Sequence, residues 1–123
     1  MLPCAVGSET TALGDDAIRH QVVAFLETLG RRDDVLILPP DFTRYHSQAG
    51  KVTRFVCEHY NFIPKESDLS QPNIERTKVD PPKIEILPAL GTHSPMTIEE
   101  IETMFGSELT RKKESFHVHD WRN

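Results

Sequence analysis

The stretch VLILPPDFTRYHS, residues 35–47, gives the strongest indication of the fold. Its first four residues are an unbroken apolar run, and Pro39-Pro40 ends that run. A short strand that is apolar on both sides is typical of a sheet covered on both faces, as in α/β proteins. The polar segment from Asp41 to Arg44 follows at once, so we expect it in a loop at the carboxyl end of this strand.

Amphipathic helices are predicted on both sides of the strand. The first helix begins at a cap, either Asp15 or Asp16, and ends at Gly30, a residue suited to a left-handed helix stop. The second runs from Ser47 to about Tyr60. Their apolar residues recur at the spacing of a buried helix face: Ile18, Val22, Phe25, Leu26 and Leu29 in the first helix, and Ala49, Val52, Phe55 and Val56 in the second.

The same alternation continues to the end of the chain. Residues 84–87 are the next strand candidate, and Pro88, which cannot donate a ladder hydrogen bond, marks its end. A capping box at 97–100 opens a third helix, which stops at Gly106. Residues 115–119 predict a third strand, whereas residues 61–82 are polar, rich in proline and predicted to be an excursion.

This order predicts one α/β domain over residues 1–123. It has a Rossmann-like parallel sheet, with right-handed crossovers and helices on its faces. In such a sheet a ligand lies beyond the carboxyl ends of the strands. Each polar cluster of interest directly follows a strand, at 41–44, 91–93 and 119–120. We therefore expect the three clusters to converge on one edge of the sheet.

Composition excludes several classes of partner. With 14 basic and 19 acidic residues the formal charge is −5, and no basic stripe favours nucleic acid. No apolar run has the roughly 20 residues of a membrane span, and the N-terminus does not have the pattern of a signal peptide. Cys4 and Cys57 are the two cysteines, and two free thiols are typical of a reducing cytoplasm.

The residue types in the first two clusters suit a small anionic substrate. The guanidinium of Arg44 offers paired donors to a carboxylate, and Asp41 can orient that side chain or accept a hydroxyl. His93 precedes a predicted helix start, where the dipole favours a neutral imidazole that can act as a general base. The alternatives are an Asx-turn with an exposed arginine, and a histidine that merely packs in a turn.

The third cluster is the pair His119-Asp120 at the end of the last predicted strand. Asp120 would fix the His119 ring or the following turn. His117 and His119 alternate along that strand, so both rings are predicted on one face. A histidine pair of this kind can bind a metal, although two ligands do not make a complete site.

Three stretches together resemble the N-terminal domain of the lactate racemase family: VLILPPDFTRYHS (35–47), ALGTHSPMTIEEIETMFG (89–106) and HVHDW (117–121). The first is similar to the DxTR motif of that family, the second to its GTHxPMT motif and the third to its strand-end HD. The resemblance covers residues 7–121, with a poor match at 61–82.

The resemblance implies a racemase or epimerase of 2-hydroxy acids that uses a nickel-pincer nucleotide as hydride acceptor. Asp41, Thr43 and Arg44 would then bind the substrate, with Arg44 gripping its carboxylate. His93 would be one of two histidines that take and return the hydroxyl proton, and His119 and Asp120 would support the site. The second histidine, the lysine that tethers the cofactor and the nickel ligand belong to the C-terminal region of the family.

Two departures from the family pattern bear on the substrate. Ser94 stands where the best-known members have an arginine, and Tyr45 stands where a proline usually follows DxTR. The change at Ser94 suggests a 2-hydroxy acid other than lactate, and Tyr45-His46-Ser47 places extra polar groups beside Arg44.

We therefore expect this chain to be the N-terminal part of such an enzyme, inactive without its C-terminal region. One alternative is a non-catalytic module that binds a small carboxylate or phosphate. A further alternative is a small metalloprotein that uses His93, His117 and His119.

Overall fold

A computed structural model describes residues 5–65 and 80–120 of the chain. Helix and strand alternate in the order that the sequence predicts for the first five elements. The elements are α1 (Asp15–Leu29), β1 (Asp34–Ile37), a 3₁₀ helix (Phe42–Ser47), α2 (Ala49–His59), β2 (Lys83–Ile86), α3 (Ile98–Phe105), α4 (Ser107–Thr110) and a second 3₁₀ helix (Lys113–Ser115).

Strands β1 and β2 form a two-stranded parallel sheet that is flanked by helices. Val35 pairs with Ile84, and Ile37 with Ile86. Beyond the regular ladder the two chains stay together, because the amide of Ala89 donates to the carbonyl of Pro39 over 2.8 Å. This arrangement is compatible with the α/β class, and it brings the loops after both strands to the same edge.

The prediction of a third strand at residues 115–119 is wrong. Phe116 makes one isolated parallel bridge with Ile86, and the amide of His117 donates to the Ile86 carbonyl over 2.8 Å. Ser115 and Phe116 instead donate their amides to Lys112 and Lys113, at the second 3₁₀ helix. Because these amides are committed to a turn, they are not available to extend a ladder along β2.

Helices flank the sheet, but among the described residues the outward side of β1 is not covered. Leu36 is 58% exposed and Leu38 is 63% exposed. The alternate residues of both strands face the core, as the period of two requires. That core combines the sheet with α2, α3, α4 and their flanking segments: Val35, Ile37, Cys57, Ile63, Ile84, Ile86, Met104, Phe105, Leu109 and Phe116.

Helix α1 packs on α2. The guanidinium of Arg19 lies 4.3 Å from the centre of the Phe55 ring and forms an ion pair with the buried Glu58. Gly14, rather than Asp15 or Asp16, is the N-cap, and it makes no side-chain hydrogen bond. The carboxylate of Asp15 is instead 2.7 Å from the Lys51 ammonium on α2, so that it joins the two helices.

Three predicted helix ends are confirmed. The hydroxyl of Thr97 accepts a hydrogen bond from the amide of Glu100 over 3.1 Å, as the capping box requires at the start of α3. Gly30 and Gly106 close α1 and α3 with φ angles of 69° and 90°, a backbone region that favours glycine.

Other predictions for this part of the sequence have mixed outcomes. Most of the predicted excursion, residues 66–79, lies outside the described residues, as does Cys4. The excursion does not begin at residue 61, because Ile63 is buried in the core at 3% exposure. Cys57 is a free, buried thiol. None of the helices within 5–65 and 80–120 has the length and apolar character that a bilayer crossing requires.

Candidate functional site

The candidate site is centred on a contact between the loops that follow β1 and β2. Nδ1 of His93 lies 2.7 Å from Oδ2 of Asp41, although the two residues are 52 positions apart in the chain. Asp41 follows Pro40, which bridges to Ala89 in the extension of the sheet. The parallel pairing of the strands therefore places the predicted carboxylate and the predicted imidazole side by side.

A tight turn positions His93 after the second strand. Gly91 takes a left-handed conformation with φ 58°, and the amide of His93 donates to the carbonyl of Leu90 over 2.9 Å. A residue with a side chain would be strained at this φ, so the glycine makes the turn possible. The His93 side chain is 54% exposed, whereas the Asp41 side chain that it meets is 6% exposed.

Asp41 is held by hydrogen bonds on both of its oxygens. Oδ1 accepts from the Thr43 amide over 3.1 Å and from the Thr43 hydroxyl over 2.5 Å, and Oδ2 faces His93. The first two bonds make Asp41 the N-cap of the 3₁₀ helix Phe42–Ser47. The segment was predicted to be a loop, and the Asp-x-Thr spacing is the signal that indicates this local cap.

These contacts set the charge of the buried carboxyl group. Burial raises the pKa of Asp41, but the hydrogen bonds from Thr43 and His93 outweigh that effect, and the net pKa lies below the usual 3.8. Asp41 is therefore a carboxylate at neutral pH. A carboxylate only accepts hydrogen bonds, so Nδ1 of His93 carries the proton. In the neutral ring Nε2 is then the acceptor, which is the state that a general base requires.

A surface hollow of about 420 Å³ connects the second and third predicted clusters. His93, His119 and Asp120 all line it, together with Thr92, Ser94 and Val118. His119 is exposed, and Asp120 is exposed but has an interaction partner. The hollow is large enough for a small organic acid, and its polar side chains come from the segments that the sequence places at strand ends.

Arg44 is not among the residues that line this hollow. It is exposed in the 3₁₀ helix, and its amide donates to the Asp41 carbonyl over 3.0 Å. Within the described part of the chain, no residue accepts a hydrogen bond from its guanidinium or forms an ion pair with it. The assignment of Arg44 as a carboxylate clamp stays a prediction.

The structure does not bring the histidine pair at 117 and 119 together with His93 into one group of three ligands among the described residues. Nε2 of His117 lies 3.2 Å from a Glu85 carboxylate oxygen on β2, while His119 lines the hollow of His93. The described residues include no group of three or more side chains of the metal-ligating types. The reading of His93, His117 and His119 as a ligand set is therefore not supported by their placement.

Comparisons of this chain with protein-family models, with curated proteins and with solved structures find no match. The resemblance of the three motifs to the lactate racemase family accordingly stays a prediction. The geometry of Asp41, Thr43 and His93 is what bears on the chemistry of the site.

Proposed function

We propose that this chain is the N-terminal, lactate-racemase-like part of an enzyme that racemises or epimerises a 2-hydroxy acid. Within that reaction the chain supplies the acid–base group for the substrate hydroxyl. The observation that carries the proposal is the 2.7 Å contact between Asp41 and His93. It joins two of the three motifs on which the resemblance rests.

His93 is the proposed acid–base residue. The hydroxyl of a bound 2-hydroxy acid donates its proton to Nε2, and the resulting imidazolium is stabilised by the Asp41 carboxylate at Nδ1. On the return step Nε2 gives the proton back to the oxygen. Thr43 is proposed to act mainly through Asp41, because its amide and hydroxyl both donate to that carboxylate.

Arg44 is the proposed partner of the substrate carboxylate. Its guanidinium is exposed and has no acceptor among the described residues, so its donors are available to a ligand. His119 and Asp120, which line the hollow of His93, are proposed to contact the remainder of the substrate. Ser94 lines the same hollow and contributes a small hydroxyl where the best-known members of the family have an arginine.

The described residues offer no group of three or more metal-ligating side chains, and none of them is assigned to hold the nickel-pincer nucleotide. Only the proton transfer is assigned to this chain. The C-terminal region of the family is the proposed source of the cofactor site and of the second base.

Calorimetry with D- and L-lactate and with larger 2-hydroxy acids tests the proposed substrate class. The chain should bind at least one of them, and Arg44→Ala should weaken binding about tenfold or more, the usual scale for a charge-assisted bidentate contact. Arg31→Ala is the matched control, because Arg31 is exposed and lies before β1, at the opposite end of the strand from Asp41. Equal heats for the wild type and Arg44→Ala would remove Arg44 from the site.

A non-catalytic module for a small carboxylate or phosphate is the second candidate function. The observation that favours it is the 54% exposure of the His93 side chain, because hydride chemistry needs a site that excludes water. Chiral analysis of D-lactate after incubation with the chain and the cofactor tests the expected inactivity of the chain without its C-terminal region, and formation of L-lactate would exclude the non-catalytic module. We expect no L-lactate from the chain alone, and its formation would show that the chain is catalytically complete.

A further inference from the structure

A second hollow, of about 320 Å³, lies between the first 3₁₀ helix, α2 and α3. It shares no lining residue with the hollow of His93. Six of the residues that line it bear on ligand binding: Tyr45, His46, Lys51, Arg54, Thr103 and Gly106. None of the described residues that line it carries a carboxylate, and three of them are Lys, Arg or His.

Gly106 provides the space in which the Arg54 guanidinium lies. A Cβ atom at position 106 would be 3.4 Å from Nε of Arg54 and 3.5 Å from both Cδ and Cζ. The side chain is thus packed against bare backbone, at a residue whose φ of 90° itself favours glycine. The guanidinium is held in place by packing and not by an acidic partner.

Arg54 has no partner for its hydrogen-bond donors within 5–65 and 80–120. Its Nε atom is buried without an acceptor, and no described residue forms an ion pair with the group. The neighbouring cations are satisfied, since Arg19 pairs with Glu58, and Lys51 lies 2.7 Å from Asp15. An unmet buried donor costs free energy, and each one in a folded protein calls for an explanation.

We propose that this second hollow binds an oxyanion, the phosphate group of a small molecule or free phosphate, with Arg54 as the principal contact. A guanidinium offers paired donors that match the oxygens of a phosphate. Lys51, whose ammonium also lies against Asp15, and His46 add further donors, and the hydroxyl of Tyr45 adds a neutral one. The inference does not depend on the function proposed for Asp41 and His93.

Titration of the isotope-labelled chain with inorganic phosphate, followed by NMR, tests the proposal. The Nε–H signal of Arg54 and the amide signal of Gly106 should shift and saturate together. Arg54→Gln should weaken phosphate binding about tenfold or more, while Arg111→Gln, a change at an exposed arginine outside the hollow, should leave it unchanged. No saturable shift at Arg54 and Gly106 in the wild type would overturn the proposal.

A second variant distinguishes a loss of phosphate binding from a loss of folding in Arg54→Gln. Thr103 is exposed on α3 and lines the hollow, so Thr103→Glu places a carboxylate beside Arg54 without disturbing the core. We expect it to retain the circular dichroism spectrum of the wild type and to lose phosphate binding. Unchanged binding in this variant would contradict the proposal. A parallel titration with glycerol 3-phosphate distinguishes the two sources, since tighter binding of the ester identifies a phosphorylated molecule as the ligand.

Discussion

The Nδ1 atom of His93 lies 2.7 Å from Oδ2 of Asp41, a residue that is 4% exposed. This contact joins a buried carboxylate to an exposed ring across the ends of two parallel strands. Because Thr43 occupies the other oxygen of Asp41, the carboxylate cannot turn away without losing two hydrogen bonds. The orientation of the imidazole is therefore set by the backbone of the first strand-end loop.

The first prediction concerns the tautomer of His93. In the wild type at a pH where the ring is neutral, the nitrogen chemical shifts should show the proton on Nδ1. Asp41→Asn replaces an obligate acceptor by an amide that can also donate, so the ring should populate both tautomers. Asp33→Asn, at a side chain that is 88% exposed, should leave the His93 spectrum unchanged. A mixed tautomer in the wild type would contradict the assignment.

The second prediction concerns acid stability. The folded pKa of Asp41 lies below 3.8, so its stabilising contribution is complete above the unfolded pKa and is lost as the pH falls through the folded value. Asp41→Asn should lower the free energy of unfolding at pH 7 by about 1–3 kcal/mol, the scale for a buried hydrogen-bonded charge. Urea denaturation should show this difference shrinking as the pH falls below about 5, where Asp41 becomes protonated. A difference that grows as the pH falls through that range would contradict the sign.

The third prediction concerns the packing of α2 against α3. A Cβ atom at Gly50 would lie 2.0 Å from the carbonyl oxygen of Met104, which is backbone and cannot move aside alone. Gly50→Ala should therefore reduce the free energy of unfolding by about 1–3 kcal/mol or more, as overpacking does. Gly7→Ala is the control, because no atom lies within 4 Å of the Cβ position there. Equal denaturation midpoints for the two variants would refute the close approach of the helices.

The fourth prediction concerns thiol reactivity. Burial raises the pKa of Cys57 to about 12, with a smaller contribution from Glu58 in the same direction. Since the thiolate is the reactive form, Cys57 should resist alkylation at pH 8 while the protein is folded. A Cys4→Ser background isolates its signal. Mass spectrometry should show labelling of this variant in denaturant only, and rapid labelling without denaturant would place Cys57 at the surface.

The sequence predicts the helices and the helix cap well, because these depend on residues that are close together in the chain. The spacing of apolar residues indicates α1 and α2, and the Thr97 cap marks the start of α3. The unbroken apolar run at 35–38 predicts the strand. It does not predict that one side of this strand is exposed, because a run of apolar residues does not reveal whether both faces are covered. Leu36 shows the difference, since it is exposed while Ile37 beside it packs against the core.

Long-range contacts limit what the sequence reveals about the site. The convergence of Asp41 and His93 follows from parallel pairing, which the alternation of helix and strand does predict. The 3₁₀ helix after Asp41 depends on two hydrogen bonds from Thr43, and the Asx-turn alternative predicts the one from the Thr43 amide. Arg54 is not a candidate from the sequence, because the burial of its Nε atom without an acceptor among the described residues becomes visible only when Gly106 and α3 are placed beside it.

The leucines of β1 that point away from the core also affect how the protein behaves in a fluorescence melt. Leu36 and Leu38 present apolar surface to water in the folded chain. Dyes that brighten on apolar surface should therefore fluoresce before any unfolding, and ammonium sulfate, which strengthens apolar burial, should promote self-association. Replacing Leu36 by Thr should lower the dye fluorescence of the folded protein. Because the dye already fluoresces before the wild type unfolds, circular dichroism is the better probe of its melting temperature.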